Sequence, residues 1–173
     1  PPGKRLNHVA HEKLGDRTVA MISGPRFAGE VARGLPTAIA VFSRSRAPAE
    51  RLAGYLYSDF FRPYTSSDLV GVEIGGAAKN VMAIGAGISD GLGFGANARA
   101  ALITRGLNEI MRLGIALGGE QHTFMGLAGM GDLVLTCTDD QSRNRRLGLA
   151  LARGLKIEEA RREIGQEVEG VMA

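Results

Sequence analysis

The stretch from Val70 to Arg105, VGVEIGGAAKNVMAIGAGISDGLGFGANARAALITR, constrains the fold more than any other part of the chain. It has no strand-like alternation, and its small and apolar residues recur at helical spacing. It therefore predicts two long, closely packed helices, Val70–Ser89 and Asn97–Leu117, joined by a Gly-rich link over Asp90–Gly95. Lys79 sits in the middle of the first helix. An ammonium among Gly, Ala and Val is costly unless it is paired or used. Its helix face also carries Val72, Gly76, Ala83, Ala86 and Asp90, at steps of three and four. Two readings stand: an acid/base group of a substrate site, or a lysine reaching solvent along its apolar stem.

The residues before this stretch have a different character. Leu6, Val9, Ala10 and Leu14 predict a helix stopped at Gly15. Thr18–Ile22, Thr37–Phe42 and Phe60–Tyr64 read as strands, and Pro63 puts the third at an edge or a strand end. Between them lie a short helix over Arg26–Arg33 and a longer one over Ala47–Tyr57, with Leu52, Tyr55 and Leu56 on one face. Alternation of this kind predicts βαβ units and a parallel sheet. Ser66, Ser67 and Asp68 form a capping cluster, after which no strand pattern recurs. Further helices are expected at Thr123–Leu127, Ser142–Ala152 and Ile157–Ile164, with a turn or short helix at Asp132–Thr136. The expected fold is an α/β remnant of a Rossmann-like domain over residues 1–68, followed by an all-α substrate domain over residues 69–173.

Composition narrows the function classes. Glycine is abundant, at 25 of 173 residues, and Cys137 is the single cysteine, so no internal disulfide framework exists and a reducing cytoplasm fits. His8, His11 and His122 are too scattered for a metal site. The first residues, PPGKRLNH, lack the apolar core of a signal peptide, and no apolar run escapes interruption by Lys, Glu, Asp or a glycine cluster, so no membrane span is expected. Net charge is only +3, and the one basic cluster, Arg143–Arg146, has no aromatic neighbours, which argues against nucleic-acid binding.

Three further motifs bear on chemistry. Gly93-Phe94-Gly95-Ala96-Asn97-Ala98 matches G-x-G-x-x-A, but a helix rather than a strand precedes it. It reads as a flexible link with Asn97 capping the next helix. Gly126-Leu127-Ala128-Gly129-Met130-Gly131 is a second glycine-rich turn, one that permits positive φ, lets the backbone pass close to something and delivers Asp132. That residue is either a helix cap or a carboxylate that pairs with Lys79. Ser142, Arg143 and Asn144 open a helix, where backbone N–H groups and a planar guanidinium suit an anion, or else form a solvated helix start.

In this order, SGPRFAGEVARGLPTA, GGAAKNVMAIGAGISDGLGFGANARAALITRG, LAGMGDLVLTCTDDQSRNRRLG and IGQEVEG resemble the bacterial NAD(P)-dependent glycerol-3-phosphate dehydrogenases, from Ser23 to Gly170. The resemblance implies NAD(P)H-dependent reduction of dihydroxyacetone phosphate, a small phosphorylated substrate, for phospholipid synthesis. It implies Lys79 as the catalytic acid/base, and Gly24, Lys79, Asp132, Ser142, Arg143 and Asn144 as substrate-binding. Ala28, Arg143 and Glu169 would be cofactor-binding. It leaves a homodimer open, and NADH versus NADPH preference with it.

There are departures. Arg26 stands where the family usually has Thr, and Ala78 where a larger aliphatic is common. No strand-linked G-x-G-x-x-G occurs, so a first dinucleotide-binding half and a further lysine are expected upstream of Pro1, with more helices after Ala173. Without that glycine loop the fragment alone is expected to bind nicotinamide nucleotide weakly and to be inactive. The rival readings are a related two-domain hydroxyacid dehydrogenase and a non-catalytic helical interaction module.

Overall fold

The structure is a computed structural model and describes residues 4–171. Helix α1 (Leu6–Leu14) leads into strand β1 (Ala20–Ser23), the short helix α2 (Ala28–Ala32), β2 (Thr37–Ser43), α3 (Arg46–Leu56) and β3 (Phe61–Ser66). From there the described chain is helical: α4 (Leu69–Gly91), α5 (Gly95–Ala116), α6 (Gln121–Met125), a π-helical turn (Leu127–Gly131), α7 (Asp132–Thr138), α8 (Arg143–Ala152), α9 (Ile157–Ile164) and a 3-10 turn (Glu169–Val171). The α/β remnant followed by helices is thus as expected.

The sheet order is β1-β2-β3, which places β3 and its Pro63 at an edge of the described sheet. β2 and β3 run parallel, but β1 and β2 are antiparallel, which corrects the expectation of a wholly parallel sheet. The reason lies in the connections. A parallel pair needs a crossover element lying on the sheet. Between β1 and β2 stands only α2, five residues long with none buried. Between β2 and β3, α3 presents Ala49, Leu52, Ala53 and Leu56 to Ile39 and Val41. Tyr55 does not share that face; it is 85% exposed. Alternate residues of β2, Ala40 and Phe42, point the other way and pack with Leu69, Val72 and Ala128. The strand is therefore the joint between the sheet and the helices.

α4 is the axis of the helical part. Asp68 caps it by accepting from the Gly71 amide at 2.7 Å, and its second oxygen accepts from the Glu120 amide at 2.9 Å. By length and composition α4 could cross a bilayer. Here it carries Glu73, Lys79 and Asp90 and packs against α5, α7 and α8, as a core helix does. Its small residues are what permit those contacts. A methyl at Gly87 would strike the Arg145 carbonyl and the Gly148 backbone, and one at Gly148 would strike the Ile84 carbonyl.

The link to α5 is shorter than expected. α5 begins at Gly95, so Asn97 lies inside its first turn and caps nothing. Gly93 and Gly95, at φ 78° and 83°, make a turn that a side chain would strain. For the Gly126–Gly131 stretch, positive φ is corrected, while close backbone approach holds. None of its glycines has positive φ, and the chain there is a π-helical turn. Close packing explains at least Gly129, where a Cβ would strike the Phe124 backbone.

Asp90 braces the far end of α4. It accepts from Arg99 and from Arg145, each at 2.7 Å. Burial opposes ionisation of its carboxyl, but the two guanidinium groups outweigh that and hold it below the ordinary aspartate value. The resulting stability is present above the ordinary value, about pH 3.9, and is lost as pH falls through the lowered one. Asp90→Asn is therefore expected to lower the melting temperature at neutral pH and to flatten its fall in acid. Parallel melting-temperature curves for the two proteins would show that this network does not set the acid limit.

Candidate active site

A cleft of about 860 Å³ opens between α4, α8 and the β1–α2 turn, within the range usual for ligand sites. Lys79 projects from the middle of α4, and its Nζ donates to Asp132 Oδ2 at 2.5 Å. The lysine side chain is 20% exposed and the carboxylate 7%. Beside the ammonium, Asp132 has one further polar side-chain neighbour among the described residues. It is the first residue of α7, and the Thr136 hydroxyl donates to its backbone carbonyl at 2.5 Å, with Oδ1 3.3 Å away. The π-helical turn sets this register, so glycine packing behind the site fixes where the carboxylate stands. The ammonium keeps an open side toward the cleft.

The other wall comes from the start of α8. Ser142 is its N-cap, its Oγ accepting from the Arg145 amide at 3.2 Å. Arg143 pairs with Glu169. Asn144 is buried, accepts from the Gly170 amide at 2.9 Å and donates to Asn80 Oδ1 at 3.2 Å. It thereby ties α8 to the residue next to Lys79. Arg145, two residues from Arg143, points inward to Asp90 and Asp140, so the basic cluster divides between a cleft cation and a structural brace.

On the sheet side, Arg26 lines the cleft, its Nη1 3.4 Å from the Gly24 carbonyl, and it pairs with no carboxylate among the described residues. Met21, Ile22 and Phe27 form an apolar wall beside it. Cys137 contributes nothing reactive. Burial pushes its thiol up to about 12, against the lowering influence of Arg145 and Lys79. Among the described residues no cluster of His, Cys, Asp or Glu could hold a metal.

The sequence that builds this cleft matches a known family. The family model described as the NAD-dependent glycerol-3-phosphate dehydrogenase C-terminus matches residues 68–173, and its N-terminus counterpart matches residues 2–49. The chain belongs to the NAD-dependent glycerol-3-phosphate dehydrogenase family. A protein of Thioalkalivibrio sulfidiphilus, named glycerol-3-phosphate dehydrogenase (NAD(P)+), is 62% identical over 169 residues, covering 97% of this chain and 51% of its own length. One of the same name from Idiomarina loihiensis is 59% identical over 170 residues, again 97% and 51%. A crystal structure of glycerol-3-phosphate dehydrogenase from Coxiella burnetii superposes with a TM-score of 0.95 at 52% identity, covering 98% of this chain and 52% of that one. The chain spans about half the length of these relatives.

Of the residues that resemblance to the glycerol-3-phosphate dehydrogenases singled out, Lys79, Asp132, Ser142, Arg143, Asn144 and Glu169 line the cleft. Gly24 and Ala28 do not. Gly24 sits buried behind it at φ 129°, where a Cβ would press on Ile39 Cα at 3.2 Å, and Ala28 is exposed at the first residue of α2. Sequence reasoning missed Asn80, Thr136 and Arg26 as cleft residues. Thr136 lies four residues after Asp132, so helical spacing was the signal available for it, whereas Asn80, next to Lys79, is off the lysine's own face and carried no such signal.

Proposed function

We propose that the complete protein reduces dihydroxyacetone phosphate to sn-glycerol 3-phosphate, reversibly, with NAD(P)H as hydride source, in the cytoplasm and for glycerophospholipid synthesis. In this reading residues 69–173 belong to the substrate domain and residues 1–68 close the dinucleotide-binding one. The observation that carries it is the Lys79–Asp132 pair, largely buried in a cleft whose other wall is the start of α8.

Each residue then has a task its geometry suits. The Lys79 ammonium donates a hydrogen bond to the ketone oxygen and passes it a proton as negative charge builds there. Asp132, immobilised by Thr136, aims the ammonium and balances its charge. Ser142, Arg143 and Asn144, at the first turn of α8, take the substrate phosphate through side chains and free backbone amides. After turnover Lys79 regains its proton from solvent through the open mouth of the cleft. NAD(P)H, when bound, is the source of the hydride that reaches the carbon. The cleft fits its nicotinamide end, since it is larger than a triose phosphate requires and has an apolar wall. In this reading Arg143 and Glu169, which line the cleft, hold it there. The described residues contain no strand-linked glycine loop for its pyrophosphate.

The test is a substrate panel on the complete protein. The account expects kcat/KM for dihydroxyacetone phosphate to exceed that for dihydroxyacetone by roughly a thousandfold or more, because the phosphate-binding groups are otherwise left unpaired. A 2-oxo acid reduced as well as the triose phosphate would sink the reading.

A further inference from the structure

Helix α1 supplies no cap of its own. Arg5, its N-cap residue, makes no side-chain capping hydrogen bond, and the first turn holds no acidic residue. The free amides and the positive end of the helix dipole there favour an anion. Glu73 of α4 provides it. Its Oε1 accepts from the Asn7 backbone amide at 2.5 Å and its Oε2 from Asn7 Nδ2 at 3.0 Å, so both carboxylate oxygens close on one buried residue of α1. Paired hydrogen bonds to a charged group fix register as well as contact, which non-directional apolar packing does not.

Glu73 also stands on a face of α4 that lines the cleft. Asn80, seven residues on and two turns along, shares that face and accepts from Asn144 of α8 at 3.2 Å. One stripe of α4 is thus bonded to α1 at Glu73 and to α8 at Asn80, with Lys79 adjoining the second tie. Lys4, Arg5 and Leu6, around the start of α1, line the same cleft.

We propose that Glu73 is a positioning residue whose double hydrogen bond to Asn7 holds the start of α1 at a fixed separation from the helix that bears Lys79. The inference rests on the proposed dehydrogenase activity, in which α1 belongs to the dinucleotide-binding domain and α4 to the substrate domain. A tie between the two limits how far the hydride source can shift relative to the proton donor. Such shifts matter, since a misplacement of about 1 Å can cost roughly a hundredfold in rate. Glu73 does not act by contact. Its oxygens are engaged by Asn7, and its charge would repel the phosphates of either ligand.

The test is made on the complete protein. Asn7→Asp sets a second carboxylate against Glu73 and breaks the clasp. The double variant Asn7→Asp, Glu73→Gln re-forms both hydrogen bonds with the side-chain donor and acceptor exchanged. Expected for Asn7→Asp is a kcat for dihydroxyacetone phosphate lowered roughly tenfold or more, with KM for that substrate and for NADPH within about twofold. The double variant should recover kcat to within about threefold of wild type. Asn7→Ala brings no charge and serves if Asn7→Asp does not fold; its kcat should fall roughly threefold or more with KM likewise steady. Rates are taken well below each melting temperature. Unchanged kcat in Asn7→Ala, a loss seen in KM alone, a lowered melting temperature with kcat intact, or a double variant no faster than Asn7→Asp would each overturn the positioning role. A wild-type protein that reduces no dihydroxyacetone phosphate would instead overturn the activity on which that role depends.

Discussion

Lys79→Ala is expected to reduce kcat for dihydroxyacetone phosphate in the complete enzyme by roughly a thousandfold, read from nicotinamide absorbance. The substitution removes the ammonium that the cleft holds beside a buried carboxylate, and with it both the proton and the positive charge at the ketone oxygen. It also leaves Asp132 buried and unpaired, which costs a few kcal/mol of stability. Rates therefore belong well below the melting temperature of the variant. Lys79→Arg separates the two roles. Arginine keeps the charge and a partner for Asp132 but does not give up a proton, so this variant is expected to stay folded and remain slow. Turnover near wild type in either variant contradicts the acid/base role.

Gly87→Ala is expected to force apart the crossing of α4 and α8. At an exposed helix position the change would stabilise by about 1 kcal/mol. Here the new methyl meets the Arg145 carbonyl, Gly148 Cα and the Leu149 amide, all backbone atoms that no rotamer change can move aside. α4 and α8 must separate, at a cost of about 3 kcal/mol, which lowers the melting temperature by roughly 6–12 °C in a chain of this size. Separation also carries Asn144 away from Asn80, and Arg143 away from Lys79, so catalysis in the complete enzyme falls with stability. Gly148→Ala should behave alike, and the double variant should lose less than the sum, because one displacement relieves both contacts. A thermal scan with an unchanged or raised melting temperature would show that the crossing has slack.

What could be read beforehand follows from what local pattern encodes. The span Ile157–Ile164 and the cap at Asp68 were legible because periodicity and capping chemistry are local. So was the suspicion about Lys79, since a charge in a glycine–alanine helix needs a partner, and Asp132 stands 2.5 Å away. Strand direction was not legible. β1 reads like any short apolar strand, and only the thinness of α2 separates antiparallel from parallel pairing. Of the two uses read for the glycines before Asp132, positive φ is not made and close backbone approach is, at Gly129 against Phe124. Arg143 and Arg145 differ by two positions and by nearly half a helical turn, so one basic cluster supplies the cleft and the core at once.

The central claim is that Lys79 gives the proton and Asp132 acts through it. A double-mutant cycle on kcat tests this most directly, with Lys79→Ala, Asp132→Asn and the pair measured in the complete enzyme. If Asp132 only aims and balances the ammonium, Asp132→Asn is slow alone, and adding it to Lys79→Ala costs no more than about a further twofold. If the two losses multiply, Asp132 works independently of Lys79, and the proton path described here is wrong.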